Sequence, residues 1–482
     1  MFQFVPLFPS TGVDTHGPFL GEVDVTEALE LLSSSIGLRR LLKYYASVTP
    51  STELSEWPYG MPTHLYDALE QGAMTSFCLS CGKALRSDRC IPLITNLFFF
   101  PLFYRFQCCH TYYLIHGCQP PSAVGVYLEE QDTVISFFNY SYSICRLDWG
   151  YDRFEVVINA FKKTKEQLGE VIDAYLHGPE PTRLTFCLGF NPNAGHQLRE
   201  ELGVYQKLLA LPHAGEPADV IVGPHDDFEA ASWIGKGARI RTLPIQSVHD
   251  TGNELMREVL EKNLFLLRLG THAHVPDALE QALMSWCISR AGAHVETLKA
   301  LVKPYFPCVW ITLRSHSRVW VQQVDGLRLM MEAVLMEFPH ACFLMDGLQR
   351  EASTLQELSE HFSAPDRLIS LIGSELLRSL SYFTCADMYV IPFSNANLMP
   401  MIVSKPGVLY GQRGWIPEGE ALLVPRENPI LGQHVVGWRV SIGDPLIDEN
   451  PTRANYDVSL PELVESVLKV AHSLPLRTVI NT

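Results

Sequence analysis

A succession of short runs, apolar at nearly every position, governs what this chain can fold into. RLTFCLGF (Arg183–Phe190), ADVIVG, ARIRTL and NLFLLRLG come first, each passing into a polar loop and often a helix-like segment. The pattern restarts at CVWITLR and continues through ACFLMDG, RLISLIG, MYVIPF and GVLYG. A strand with one wet face alternates apolar and polar residues, whereas strands covered by helices on both faces read as continuous apolar runs. The chain is therefore α/β, and at 482 residues it exceeds one ordinary core. Two Rossmann-like units, 156–300 and 301–482, fit the runs better than one very large sheet.

Residues 1–155 have another texture. After one helix-like segment, VTEALELLSSSIGLRRLLKYYA, come HTYYLIHG, AVGVYLEE and TVISFFNYSYSI, short aromatic strands bounded by Gly, Pro or acidic residues. They predict an N-terminal mixed module, strand-rich and antiparallel. The greasiest segment, LITNLFFFPLFYRF (Leu93–Phe106), is shorter than the ~18 apolar residues of a bilayer span, is broken by Pro101, and reads as buried strand. No transmembrane segment is expected. The N-terminus lacks the basic region and continuous apolar core of a signal peptide, so the expected location is cytoplasmic. In that reducing compartment the twelve cysteines serve mostly as buried small hydrophobes. Asp and Glu total 53 against 37 Lys and Arg, a net charge of −16. That argues against nucleic-acid binding, which depends on basic groups neutralising phosphates, and leaves room for a small basic pocket holding one anion.

Ligands of open α/β sheets bind outside the carboxyl ends of strands, so the turns after strands carry the candidates. In CVWITLRSHSRVWVQQVDGLRLMM, Val309–Leu313 supply a strand and Val321, Val324, Leu327, Met331, Val334 or Leu335, and Phe338 the buried face of the following helix. Arg314 and Arg318 then stand at the mouth of the sheet beside a helix N-terminus. They repel each other unless an anion or a carboxylate lies between them. Phosphate suits two guanidiniums, and surface acids are the alternative. In MYVIPFSNANLMPM, Ser394, Asn395 and Asn397 stand at a helix start as caps, as contacts for a diphosphate or sugar, or as both. In GFNPNAGHQLREEL, His196 sits at a helix start past a strand end, placed either as a general base or as a loop or capping residue. Glu200 and Glu201 are rival bases or acids that complement the helix dipole.

Cys78 and Cys81 form C-x-x-C, and Cys108, Cys109 and His110 follow, with His116 and Cys118 nearby. Four ligands for a structural zinc could be drawn from these. A second clean C-x-x-C is missing and Cys108 and Cys109 lie in a strand-like apolar context, so no metal and no cofactor is assigned. No P-loop, G-x-G-x-x-G or G-x-S-x-G occurs, which removes the commonest arguments for an NTPase, a dinucleotide enzyme or a serine hydrolase.

The order strand, RSHSR, helix, strand ending in Asp346-Gly347, LLRSLSYFTCAD, strand, FSNAN, helix, KPGVLYG resembles the C-terminal half of GT-B glycosyltransferases, the heptosyltransferase-like members among them. NAGHQLREEL is similar to the N-terminal turn that carries acceptor-side or base residues in some inverting members. The resemblance covers roughly residues 180–475 and leaves 1–155 aside. It implies two Rossmann-like units facing a cleft, a nucleotide-sugar donor and a saccharide or protein acceptor. Transfer would be inverting and metal-independent, with Arg314, Arg318, Ser394, Asn395 and Asn397 around the donor and His196 as base. Where the family usually carries glycines in the loop after the strand, this chain has FSNANL. That loop suits the alternative, a non-catalytic GT-B-like sugar- or partner-binding protein of a polysaccharide pathway; a third reading is a different transferase on the same fold, such as one moving pyruvyl groups.

Overall fold

The computed structural model describes residues 3–8, 35–45, 48–49, 61–95, 100–117, 123–139, 151–191, 193–209, 219–234, 240–243, 248–269, 275, 277–316, 318–393, 398–403, 405–412, 427–428, 433–434, 438–442 and 455–475. The chain divides into two compact units, Met1–Ala273 and His274–Thr482.

In the first unit, β1 (Gln3–Phe8), β2 (Met74–Phe77), β3 (Ala84–Ser87), β4 (Cys90–Pro92), β5 (Leu102–Gln107), β6 (Thr111–His116), β7 (Ala123–Leu128) and β8 (Thr133–Asn139) precede a long helix, Tyr151–His177. Six of these strands form one sheet in the order β1-β8-β7-β6-β5-β4, antiparallel except where β1 runs parallel to β8. The pair β2–β3 is a separate antiparallel hairpin. The helix lays Phe161 against Phe103 of β5, with stacked rings 4.5 Å apart. Of the greasy segment, Leu102–Phe106 is strand; Asn96–Phe99 lie outside the described residues.

Four parallel strands follow within the same unit: β9 (Arg183–Leu188), β10 (Asp219–Val222), β11 (Ile240–Thr242) and β12 (Leu264–Arg268), ordered β11-β10-β9-β12. The antiparallel module is fastened to this sheet by buried polar contacts. The Tyr104 hydroxyl of β5 donates to Leu266 O of β12 at 2.9 Å, and Cys90 N donates to the Tyr175 hydroxyl, which donates to Leu264 O at 2.7 Å. Buried Arg89 donates to Gly178 O at 2.9 Å, and also to Glu180 O and Asn263 Oδ1.

The second unit opens with the helix Asp277–Val302, which packs on the helix Leu376–Phe383, so the unit boundary precedes this helix and does not fall near residue 300. Its sheet contains β13 (Cys308–Thr312), β14 (Cys342–Asp346), β15 (Leu368–Ser370), β16 (Met388–Pro392), β17 (Gly407–Gln412) and β18 (Trp438–Ile442). All pair in parallel, in the order β15-β14-β13-β16-β17-β18. Counted by appearance the order is 3-2-1-4-5-6, that of a doubly wound dinucleotide-binding sheet, and the first unit's parallel strands repeat its opening, 3-2-1-4. Every residue of β13, β14 and β16 is buried, the reason for their continuous apolar runs. Among the described residues no helix is long and apolar enough to cross a membrane.

Candidate functional site

Strand order reverses next to β9 in the first unit and next to β13 in the second, because later strands add on the far side of each. The loops leaving neighbouring strands diverge there and open a crevice at the carboxyl edge. Two of the three turns singled out from the sequence, those of His196 and of Arg314 and Arg318, leave these strands.

Beyond β9 the chain reverses at Gly189, whose φ of +68° belongs to the left-handed region that glycine adopts without penalty. Asn193 then caps a helical stretch, its side chain accepting from Gly195 N at 2.9 Å and His196 N at 3.4 Å. His196 is thus the third residue of the helix, not a loop residue. From Gln197 to Leu202 the stretch widens into a π-helical turn, a feature frequent at functional sites. There the His196 Nδ1 meets the Glu200 carboxylate one turn on. The imidazole is 22% exposed and the carboxylate side chain 4%. The buried carboxylate behind the partly exposed imidazole holds the ring in one orientation. The Glu200 carboxylate is thus turned to the imidazole and away from solvent.

Glu201 points the other way. It accepts from the backbone N–H of Gly189 and of Asn191, the latter at 3.2 Å, and so ties the strand-end loop to the helix. Burial pushes its carboxyl up to about 8, against the opposing pull of Arg268 and of the Gly189 N–H. The loop after β10 joins the same edge. Gly223 N donates to Leu188 O at 2.7 Å, and Gln197 Nε2 bridges Asn191 O at 2.7 Å and Asp227 Oδ2 at 2.9 Å.

In the second unit the helix after β13 begins only at Gln323, so Arg314 and Arg318 occupy a loop and not the first helical turn. Val321, expected on the buried helix face, is 60% exposed; Leu327, Met330, Met331 and Val334 form that face. Gln323 clasps the loop from below: its Oε1 accepts from Arg314 N at 3.0 Å and its Nε2 donates to Arg314 O at 2.7 Å. Arg318 has φ +53°, unusual for a residue with a Cβ. Half-buried Arg314 is pulled down to about 10, first by burial and then by the like charge of Arg318. The loop's outer end is anchored by Val319 N donating to Asn455 Oδ1 at 3.0 Å and Trp320 Nε1 donating to Asp457 Oδ1 at 2.9 Å. Gly326 makes room for this anchor, since a Cβ there would lie 2.0 Å from the Trp320 ring.

Two acids complete this edge. Asp346, at the end of β14 and in register with Thr312, is pushed up to about 6 by burial although Ser379 Oγ donates to it at 3.2 Å. Glu351 is 1% exposed; its Oε1 accepts from Ser315 N at 3.2 Å and Ser315 Oγ at 3.0 Å and contacts His316 Nδ1 at 3.3 Å, while its buried Oε2 has no hydrogen-bond partner among the described residues. Nothing in LQRE suggests this role, because it rests on a contact 36 residues away in sequence. Ser394, Asn395 and Asn397 lie outside the described residues; the helix they precede, Leu398–Ile402, has five residues.

A groove lined by Arg183, Asp219, Arg241, Glu258 and Lys262 lies at the amino edge of the first unit's parallel strands, opposite the switch point. Its cations are ion-paired: Arg183 with Asp219 at 3.1 Å, Arg241 and Lys262 with Glu258 at 2.8 and 2.5 Å. Metal-ligand geometry occurs in the antiparallel module, where Cys78, Cys81, Cys108 and Cys109 converge; Cys118 lies outside the described residues. No known family model matches the chain, and no curated protein matches it.

Proposed function

We propose that the chain is a GT-B-like glycosyltransferase that moves a sugar from a nucleotide-sugar donor to a hydroxyl of a saccharide or protein acceptor, by inversion and through side chains alone. The observation that carries this reading is the pair Arg314 and Arg318 in the loop leaving the first strand of a 3-2-1-4-5-6 sheet, at its switch point. Guanidiniums match phosphate oxygens bidentately, and an anion shared by both offsets the burial and the mutual repulsion that draw Arg314 down. In this reading the donor diphosphate binds there, and the FSNAN loop (Ser394, Asn395, Asn397) contacts the diphosphate or sugar. His196, oriented by Glu200, takes the proton of the acceptor hydroxyl. That oxygen attacks the anomeric carbon as the bond from this carbon to the diphosphate oxygen breaks. Arg314 and Arg318 take up the charge on the departing diphosphate, the electrostatic role that usually dominates such catalysis.

A thermal-shift panel of UDP, GDP, ADP, CMP, dTDP and inorganic phosphate tests it. A ligand at ~100 times its Kd stabilises the native state by about 2.7 kcal/mol. For a unit of this size that raises its melting temperature by about 5–11 °C. One nucleotide should give this shift, and Arg314→Ala should abolish it while the unliganded melting temperature stays put. A panel flat for every compound would defeat the reading and favour the non-catalytic binding protein to which the glycine-free FSNANL loop is suited.

A further inference from the structure

Four cysteines at the tips of two hairpins in the first unit have no part in the chemistry above. Cys78 and Cys81 stand in the turn between β2 and β3, where Phe77 pairs with Ala84. Cys108 and Cys109 occupy the three-residue turn between β5 and β6, where Gln107 pairs with Thr111. Strands far apart in sequence thus bring the two turns together, and the four Sγ atoms all lie within 4.8 Å of one another. The Sγ atoms of Cys81 and Cys108 are 3.7 Å apart. A disulfide would need ~2.05 Å, whereas a tetrahedron of sulfurs around zinc, with bonds of ~2.3 Å, has edges of about 3.8 Å. The separation is that of two ligands on one ion.

The turns are built to hold thiolates. Cys78 N donates to Lys83 O at 2.8 Å and Gly82 N to Cys78 O at 2.8 Å, which curls the C-x-x-C segment back on itself. Gly82, with φ +71°, permits the curl. Arg40 donates to Gly82 O at 2.7 Å and sets a positive charge beside the cluster. Cys78 is buried; the other three are exposed and leave a path by which an ion can enter.

We propose that Cys78, Cys81, Cys108 and Cys109 bind one zinc ion in a closed tetrahedral site that staples the two hairpins together. Four thiolates select zinc or iron among the common metals. The closed set leaves no position for substrate, so the role is structural, as in other four-cysteine zinc sites. Binding releases the thiol protons and welds the β2–β3 hairpin to the β5–β6 turn of the six-stranded sheet.

The test is metal analysis of the full chain, expressed without a histidine tag and purified without chelator. About one zinc per chain is expected, retained in Cys385→Ser, a change in the other unit, and reduced at least tenfold in Cys81→Ser and Cys109→Ser. Cobalt added to metal-stripped protein should produce the intense visible bands and near-ultraviolet thiolate charge-transfer band of a tetrahedral four-sulfur site. Iron in place of zinc, substoichiometric metal together with no such cobalt spectrum, or a Cys81–Cys108 disulfide in freshly purified protein would each overturn the proposal. If the serine variants do not fold, the wild-type stoichiometry and cobalt spectrum decide it.

Discussion

Replacing Glu201 by Gln should change how the first unit's stability depends on pH. The side chain is 2% exposed, and burial raises its carboxyl to about 8 from an ordinary value of 4.5. At about 1.4 kcal/mol per pH unit, that difference corresponds to roughly 5 kcal/mol. Below pH 4.5 the group is protonated in both the folded and the unfolded chain and adds no dependence. As pH rises further the unfolded chain gives up its proton while the folded chain retains it. Stability therefore falls by about 1.4 kcal/mol per pH unit until the folded carboxyl ionises near 8. An amide carries no such penalty. Urea melts of wild type and Glu201→Gln between pH 5 and 9 should give stabilities whose difference moves steadily in the variant's favour and levels off above pH 8. A constant difference would mean that Arg268 and the N–H groups of Gly189 and Asn191 keep Glu201 ionised throughout, and the burial argument would fail.

Two further substitutions probe the switch-point loops. Gly326→Ala places a methyl 2.0 Å from the Trp320 ring, which is 2% exposed and anchored to Asp457. A cost near the upper end of the ~1–3 kcal/mol range for overpacking is expected, seen in calorimetry as a fall of about 6–12 °C in the second unit's transition; a fall under about 2 °C would contradict the packing. Glu200→Gln should lower turnover about 100-fold with KM nearly unchanged once a donor and acceptor are in hand. Unchanged turnover would remove the pair His196 and Glu200 from the chemistry.

The parallel strands were legible because burial on both faces leaves polar residues only at the strand ends, Thr312 in β13 and Asp346 in β14. Apolar spacing starts the helix after β13 too early because Val321 fits it, yet Val321 is exposed, and the true start has Gln322 at the cap position with no side-chain capping hydrogen bond to mark it. His196 reads as a base candidate from its place after an apolar strand, and its contact with Glu200 follows the i,i+4 spacing of a helix; the π-helical turn that continues the helix has no such signal in the sequence. Cys108 and Cys109 read as strand interior because aromatic-rich strand segments stand on both sides of them. They lie instead at a hairpin tip, and only the register of Gln107 with Thr111 reveals it. Glu351 and Arg89 act through contacts tens of residues away, beyond any local pattern.

The parallel strand β1 sets a schedule for the chain's manufacture. Its residue Gln3 pairs with Thr133, and their side chains are hydrogen-bonded across 130 residues of sequence. A ribosome adding ~5–20 residues per second needs about 7–26 s to cover that distance. Throughout that interval the first strand has been made and its partner has not. QFVPLF must wait as an unpaired, largely apolar ribbon, open to any other strand edge that comes near. The interrupting Pro6 deprives such a competitor of one backbone donor, and slower translation would lengthen the wait in direct proportion.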